Sequence, residues 1–197
     1  MTTKILGVCG SLRDGSNTLE LVKLALQAAE QNGAETRLLD LRAYSLPLYS
    51  PDADNDRDAI VGPVLEMVND AHGFIIGSPE YHGCMTGVTK NFFDFLYREI
   101  GGKVFGLVSA TGGSQGNGCF DNMRAAIQYC HGWVLPYNVS ATGRDFSEKV
   151  LTNSKVADRI ERLGRDVATY APDLHGQFKA DLAQGPEGRP GFAHWSA

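Results

Sequence analysis

Apolar residues in this chain fall into short, nearly continuous runs, separated by longer stretches in which they recur at helical spacing. Lys4–Cys9 (KILGVC), Gly73–Ser78 (GFIIGS) and Lys103–Ala110 (KVFGLVSA) are apolar on both sides, the pattern of strands covered on two faces. Ala34–Asp40 (AETRLLD), polar early and apolar late, reads as a second strand in chain order, and Trp133–Ser140 as a fifth. Pro136 lies inside that last run. A proline cannot donate to a ladder, so the strand belongs at an edge.

Between the strands, Leu19–Gln31 is dense in helix formers and stops at Asn32-Gly33. Ile60–Asp70 places Val61, Val64, Leu65 and Val68 at helical spacing, with Pro63 in the first turn. A helix over Val88–Ile100 carries Phe92, Phe93, Phe95, Leu96 and Tyr97, more than one apolar stripe. It is therefore buried on two sides, against another subunit or deep in its own domain. A fourth helix runs from about Cys119 to His131. Val156, Ile160, Leu163, Val167 and Tyr170 give a closing helix with one apolar stripe.

Strands alternating with helices make an α/β fold: a parallel, doubly wound sheet between two helical layers. The order 2-1-3-4-5 puts the proline-bearing strand at an edge. Residues 1–170 form one domain. The tail 171–197, with GPEGRPGF and no periodicity, reads as a partly disordered extension. Leu41–Ala59 is a long connection with Tyr44, Leu46, Pro47, Leu48 and Tyr49. Such loops either cover a site or meet another subunit, or pack on their own domain.

Composition narrows the function. With 197 residues, 43% hydrophobic, 21% charged and a formal net charge of −5, the chain suits one soluble domain. It lacks the clustered Lys/Arg of a nucleic-acid surface. The charge is also too mild for the strongly acidic face of a dedicated electron carrier. Cys9, Cys84, Cys119 and Cys130 have no metal-ligand spacing, so no metal site is expected, and reduced thiols fit a cytoplasmic protein. No apolar run approaches membrane-spanning length, so no membrane partner is expected.

The chemistry concentrates in the turn after the first strand, Gly10–Thr18 (GSLRDGSNT), which opens a helix. A helix N-terminus offers free N–H groups and a partial positive charge. With Ser11, Arg13, Ser16, Asn17 and Thr18 beside it, the turn is a socket for a phosphate. The glycine spacing is not that of a dinucleotide fingerprint, and the lysine of a nucleoside-triphosphate loop is missing. One terminal phosphate, as on a flavin mononucleotide at the carboxyl edge of such a sheet, suits what remains. The plain alternative is a Ser/Asn-capped helix. Two more distinctive turns, SPEYHGCMTG after the third strand and ATGGSQGNG after the fourth, belong on the same edge.

These turns resemble those of the NADPH-dependent FMN reductase family of flavodoxin-like proteins, whose relatives act on quinones, azo compounds and chromate. The likeness spans roughly residues 4–140. It rests on Gly10-Ser11-Leu12-Arg13 with Ser16-Asn17-Thr18, on Ser78-Pro79-Glu80-Tyr81-His82-Gly83 followed by Gly87, Lys90-Asn91 and Asp94, and on Thr111-Gly112-Gly113. Cys84, Thr86 and Thr89 stand where the family commonly has serine, proline and leucine. The resemblance implies that Ser11, Arg13, Ser16, Asn17 and Thr18 hold the FMN phosphate. It places Pro79, Glu80, Tyr81, His82 and Gly83 along the isoalloxazine and ribityl group, and Thr111, Gly112 and Gly113 at the pyrimidine end. It further implies NADPH or NADH as donor, a flavin, quinone or similar small acceptor, and a homodimer or homotetramer. The flavin carries the chemistry, so no catalytic side chain is named. His82 reads as a hydrogen-bonded loop histidine, Cys84 as a small buried thiol, and Lys90–Asp94 as a structural pair. A non-enzymatic flavodoxin-like electron carrier is the alternative, and a scaffold that lost the flavin a third possibility.

Overall fold

Five consecutive residues of the first strand, Ile5–Cys9, and all of Gly73–Gly77 are buried, and this two-sided burial sets the architecture. The computed structural model describes residues 2–54, 58–113, 117–185, 187–188 and 193. Strands β1 (Lys4–Cys9), β2 (Glu35–Asp40), β3 (Gly73–Gly77), β4 (Val104–Thr111) and β5 (Trp133–Val134) form a parallel sheet in the order β2-β1-β3-β4-β5, as expected. Cys9 pairs with Gly77, and Gly77 with Val108, so the carboxyl ends of β1, β3 and β4 open onto one rim.

The fifth position is shared. β5 stops after two residues, and β6 (Val139–Thr142) resumes pairing with β4 from Val139↔Val108. Leu135 still donates its N–H to Phe105 O at 2.9 Å. Pro136, next in the chain, has no N–H, so the single expected strand Trp133–Ser140 is split there.

Helices α1 (Asn17–Gln31) and α5 (Ser154–Leu182) cover one face; α2 (Val61–Asp70), α3 (Gly87–Asp94) and α4 (Asn117–Tyr129) cover the other. The pleat sorts β3 between them. Ile75 joins Val22, Leu163 and Val167, whereas Phe74 and Ile76 join Val64, Phe92 and Phe120. Phe74 stacks on Phe105 with ring centroids 4.6 Å apart. Each such side chain contributes roughly 1.5–3 kcal/mol through burial.

Two helices differ from expectation. The segment 88–100 is α3 up to Asp94 followed by a separate 3-10 turn, Arg98–Ile100, and both bury residues in the α2–α4 core. The closing helix does not stop at Tyr170. Ala171, His175 and Phe178 continue its buried stripe, so the start of the presumed extension is the end of α5. Pro172 lies on the exposed side of α5, away from that stripe, and removes the N–H that would have paired with Ala168 O. Of GPEGRPGF, Pro186 and residues 189–192 lie outside the described residues.

At the amino end of the sheet, Lys103 is buried and donates to Val68 O at 2.7 Å and Asn69 O at 3.1 Å. These are among the orphan carbonyls ending α2, where a cation is favoured. Burial pulls the Lys103 ammonium down to about 8. His175, only 6% exposed, lies beside His72 at a ring separation of 5.6 Å. Its Nδ1 has no partner among the described residues. Burial, with the charges of Lys103 and Lys179, holds it down to about 3.

A short hairpin not anticipated from the sequence follows β6. A 3-10 turn, Gly143–Asp145, leads into β7 (Phe146–Ser147) and β8 (Val150–Leu151). Asp145 anchors it, accepting from Thr142 N–H at 2.7 Å and from Asn153 Nδ2 at 2.6 Å. The two-residue tip, Glu148 and Lys149, is left-handed at φ 48° and 69°. That conformation costs L-residues roughly 1–2 kcal/mol each.

Candidate functional site

Three turns leave the carboxyl rim, and hydrogen bonds join them. The first runs from Gly10 to the start of α1. Gly10 N–H donates to Gly77 O at 2.7 Å, fixing it to the end of β3. Ser16 is the N-cap of α1, its Oγ accepting from Leu19 N–H at 3.3 Å. Part of the cap reading therefore holds. The N–H groups of Asn17 and Thr18 nevertheless find no acceptor among the described residues, as the first groups of a helix require. Ser11 is buried and its Oγ accepts from Arg13 N–H at 3.4 Å. Thr18 is buried against β3, and Asn17 is half-buried. The Arg13 side chain is exposed, with no hydrogen bond or ion pair among the described residues. Asp14, a carboxylate inside an otherwise positive turn, is paired with Arg42 at 2.8 Å. That bond and charge hold it below the usual carboxylate range.

The second turn, Ser78–Thr86, folds back on itself. Tyr81 and Cys84 exchange two backbone hydrogen bonds of 3.0 Å, with His82 and Gly83 at φ 54° and 75° forming the tip. Tyr81, His82, Gly83 and Cys84 are all exposed; the expected burial of Cys84 is not what the fold gives, because it lies at the mouth of that tip. Pro79 is buried. Ser78 Oγ donates to Pro79 O and accepts from Thr86 N–H, both at 3.0 Å.

Thr86 is the joint that sequence reasoning passed over as a departure from proline. It N-caps α3, and its Oγ1 donates to Gly10 O at 2.7 Å, tying the second turn to the first. The third turn begins at Thr111, buried at the end of β4, and continues through exposed Gly112 and Gly113; residues 114–116 lie outside the described residues. It too is tied to the second. Glu80 Oε2 accepts Cys119 N–H at 2.9 Å at the start of α4. Gly118 lies so close to Gly83 that a Cβ there would overlap the Gly83 carbonyl. Glu80 is thus committed to α4, a negative charge at a positive helix end.

Around this rim, Leu12, Arg42, Tyr44, Leu46 and Val88 line a cleft of about 350 Å³. Asn91 holds the long connection over it, donating to Pro47 O at 2.8 Å and accepting from Tyr49 N–H at 2.9 Å. Tyr44 and Leu46 pack on the core, whereas Leu48 is 87% exposed. Lys90 and Asp94 pair as expected. A larger cleft, about 640 Å³, runs between α3 and α4 and includes Cys84, Met85, Phe93, Tyr97 and Tyr129.

The donor set fits a flavin mononucleotide. Free helix amides and an unpaired guanidinium suit its phosphate. Among the described residues a Cβ at Gly83, Gly112 or Gly113 would meet nothing, which leaves backbone reachable by a planar ring. Burial pushes the thiols of Cys9 and Cys119, just under the rim, up to about 11, so neither is a nucleophile near neutrality.

Comparisons with known proteins agree with this chemistry. The profile of the family described as NADPH-dependent FMN reductase matches residues 3–146. An NAD(P)H-dependent FAD/FMN reductase of Geobacillus thermodenitrificans is 30% identical over 169 residues, 83% of this chain and 91% of that protein. A 2-hydroxy-1,4-benzoquinone reductase of a Burkholderia species is 36% identical over 106 residues, 54% of this chain and 56% of that one. Among solved structures, the flavoenzyme NAD(P)H:(acceptor) oxidoreductase FerB of Paracoccus denitrificans superposes with a TM-score of 0.74. It shares 17% identity and covers 88% of this chain and 99% of its own.

Proposed function

Since this chain belongs to the NADPH-dependent FMN reductase family, we propose that its three joined turns hold FMN, with the phosphate on the Gly10–Thr18 turn. The protein is an NAD(P)H-dependent oxidoreductase. Bound there, FMN would supply two-electron chemistry between the nicotinamide cofactor and a flavin, quinone or similar small acceptor. The observation that carries the placement is the pair of ties, Thr86 to Gly10 and Glu80 to Cys119, which make one rigid rim of three turns.

In this reading Ser11, Ser16, Asn17 and Thr18 surround the phosphate, and Arg13 closes over it as a charged donor. Pro79, Glu80, Tyr81, His82 and Gly83 border the ring and ribityl chain, Glu80 acting by fixing the turn rather than by touching the ring. Gly112 and Gly113, which follow Thr111 at the end of β4, would offer backbone N–H groups where negative charge develops, a preorganised stabilisation. Tyr44 and Leu46 form a wall of the acceptor side. A homodimer or homotetramer belongs to the same reading, supported by the apolar α3–α4 cleft with Tyr97 and Tyr129 exposed on it. A cytoplasmic location is supported by four free cysteines. No helix among the described residues is long and apolar enough to cross a membrane.

The test is NADPH oxidation by the FMN-loaded protein with ferricyanide or a quinone and no partner protein. Turnover is expected; its absence would favour a carrier. Arg13→Ala is expected to weaken FMN binding about tenfold while leaving kcat at saturating FMN near the wild-type value. An unchanged FMN affinity would remove Arg13 from the phosphate site.

A further inference from the structure

We propose that Lys149, at the tip of the β7–β8 hairpin, is a ligand of the FMN phosphate that the first turn lacks in sequence and receives from a remote part of the chain. The proposal rests on the FMN reading above and deepens it. Lys149 Nζ occupies the space in which a Cβ at position 15 would sit, directly against Gly15 in the phosphate turn. Its ammonium has no hydrogen bond or ion pair among the described residues, although Asp14 feels its charge.

Charge balance explains why a cation is needed there. Asp14 would by itself repel a phosphate dianion from a socket whose own cation is Arg13. Arg42, paired with Asp14 at 2.8 Å, cancels that carboxylate. Lys149 then supplies a second positive charge to the same turn, against Gly15. A dianion and two cations are matched, whereas Arg13 alone leaves a net negative site.

The hairpin is built to hold the lysine in place. It leaves the carboxyl end of β6, on the rim, and β8 packs against α1. Asp145 clamps its base through Thr142, Thr152 and Asn153. Ser147↔Val150 pairing forces the two tip residues into left-handed conformations, a turn that favours Asn-Gly rather than the Glu-Lys found here. The turn is thus not chosen for its own stability.

The experiment measures FMN and riboflavin affinities of flavin-stripped protein by quenching of flavin fluorescence, as a function of salt. Riboflavin has the ring and ribityl chain without the phosphate. Lys149→Ala is expected to weaken FMN about tenfold, flatten its salt dependence and leave riboflavin unchanged, with Lys149→Arg largely retaining FMN. Glu148→Ala, the neighbouring tip residue, is expected to bind FMN no more weakly than wild type. Equal losses for FMN and riboflavin in Lys149→Ala would reduce the hairpin to a structural support and overturn the proposal, as would an unaltered FMN affinity. Wild-type protein that binds riboflavin as tightly as FMN would overturn the phosphate site itself, and this proposal with it.

Discussion

Gly10→Ala is expected to destabilise the protein by about 2–3 kcal/mol and to lower FMN affinity by at least about a hundredfold. A Cβ at this position would overlap Thr89 Oγ1 and come within 3.3 Å of Gly77 O. Thr89 is fully buried and hydrogen-bonded to Thr86 Oγ1 at 2.8 Å, so it has nowhere to go. Relief requires the first turn to move away from the second, which breaks the Thr86 to Gly10 tie. The loss therefore appears both in folding and in the geometry of the Gly10–Thr18 turn. Denaturant unfolding and FMN titration measure the two separately. Combining it with Thr89→Ala, which removes the overlapping hydroxyl, should recover part of the stability. A Gly10→Ala protein with wild-type FMN affinity would show that the two turns do not depend on each other.

Acid is the second strong lever, and it acts at the opposite end of the sheet. His175 has its pKa pulled from 6.5 to about 3 by burial first and then by Lys103, Lys179 and His72. His72 is likewise lowered, mainly by burial. Between these two values the unfolded chain binds a proton that the folded chain refuses, so stability is intact above about pH 6.5 and falls as the pH drops towards 3. The loss is about 2 kcal/mol by pH ~5 and about 4 kcal/mol by pH ~3 from His175 alone. The facing groups sharpen it: Lys103 and Lys179 repel the new charge, and Asp70, the carboxylate that acts on the neighbouring His72, is already bound to Lys4 at 2.8 Å. Unfolding free energies from pH ~7 to ~5 should slope steeply for wild type and much less for His175→Leu, which leaves no titrating ring. Parallel slopes for the two proteins would show that His175 is not the group that titrates. Below about pH 4 the carboxylates titrate as well, so the comparison between the two proteins is the informative quantity.

What the sequence made legible was whatever a single segment carries. Two-sided apolar runs announced β1, β3 and β4, and Pro136 announced an edge. The same proline's missing N–H also divided that edge strand, a consequence that depends on which partner β4 groups it leaves unmet. The end of α5 was hidden because its last turns continue the stripe with Ala171 and a histidine, behind a proline that ordinarily stops a helix. In the site, the turns themselves were legible and their joints were not. Thr86, Arg42 and Lys149 meet the Gly10–Thr18 turn from positions far along the chain, and only folding brings them there. Cys84 was expected to be buried because thiols usually are. Its exposure follows from the backbone exchange with Tyr81, which lifts the tip away from the core.

The interrupted strand has one more effect. An unbroken outer strand offers a row of backbone donors and acceptors on which another chain can crystallise as an added strand. Here that margin of the sheet is a two-residue piece and a four-residue piece with Pro136 in the gap. The far margin, β2, presents the charged side chains of Glu35, Arg37 and Asp40. The broken border leaves little room for backbone-to-backbone docking, and at the intact β2 border it is the charged side chains that oppose it.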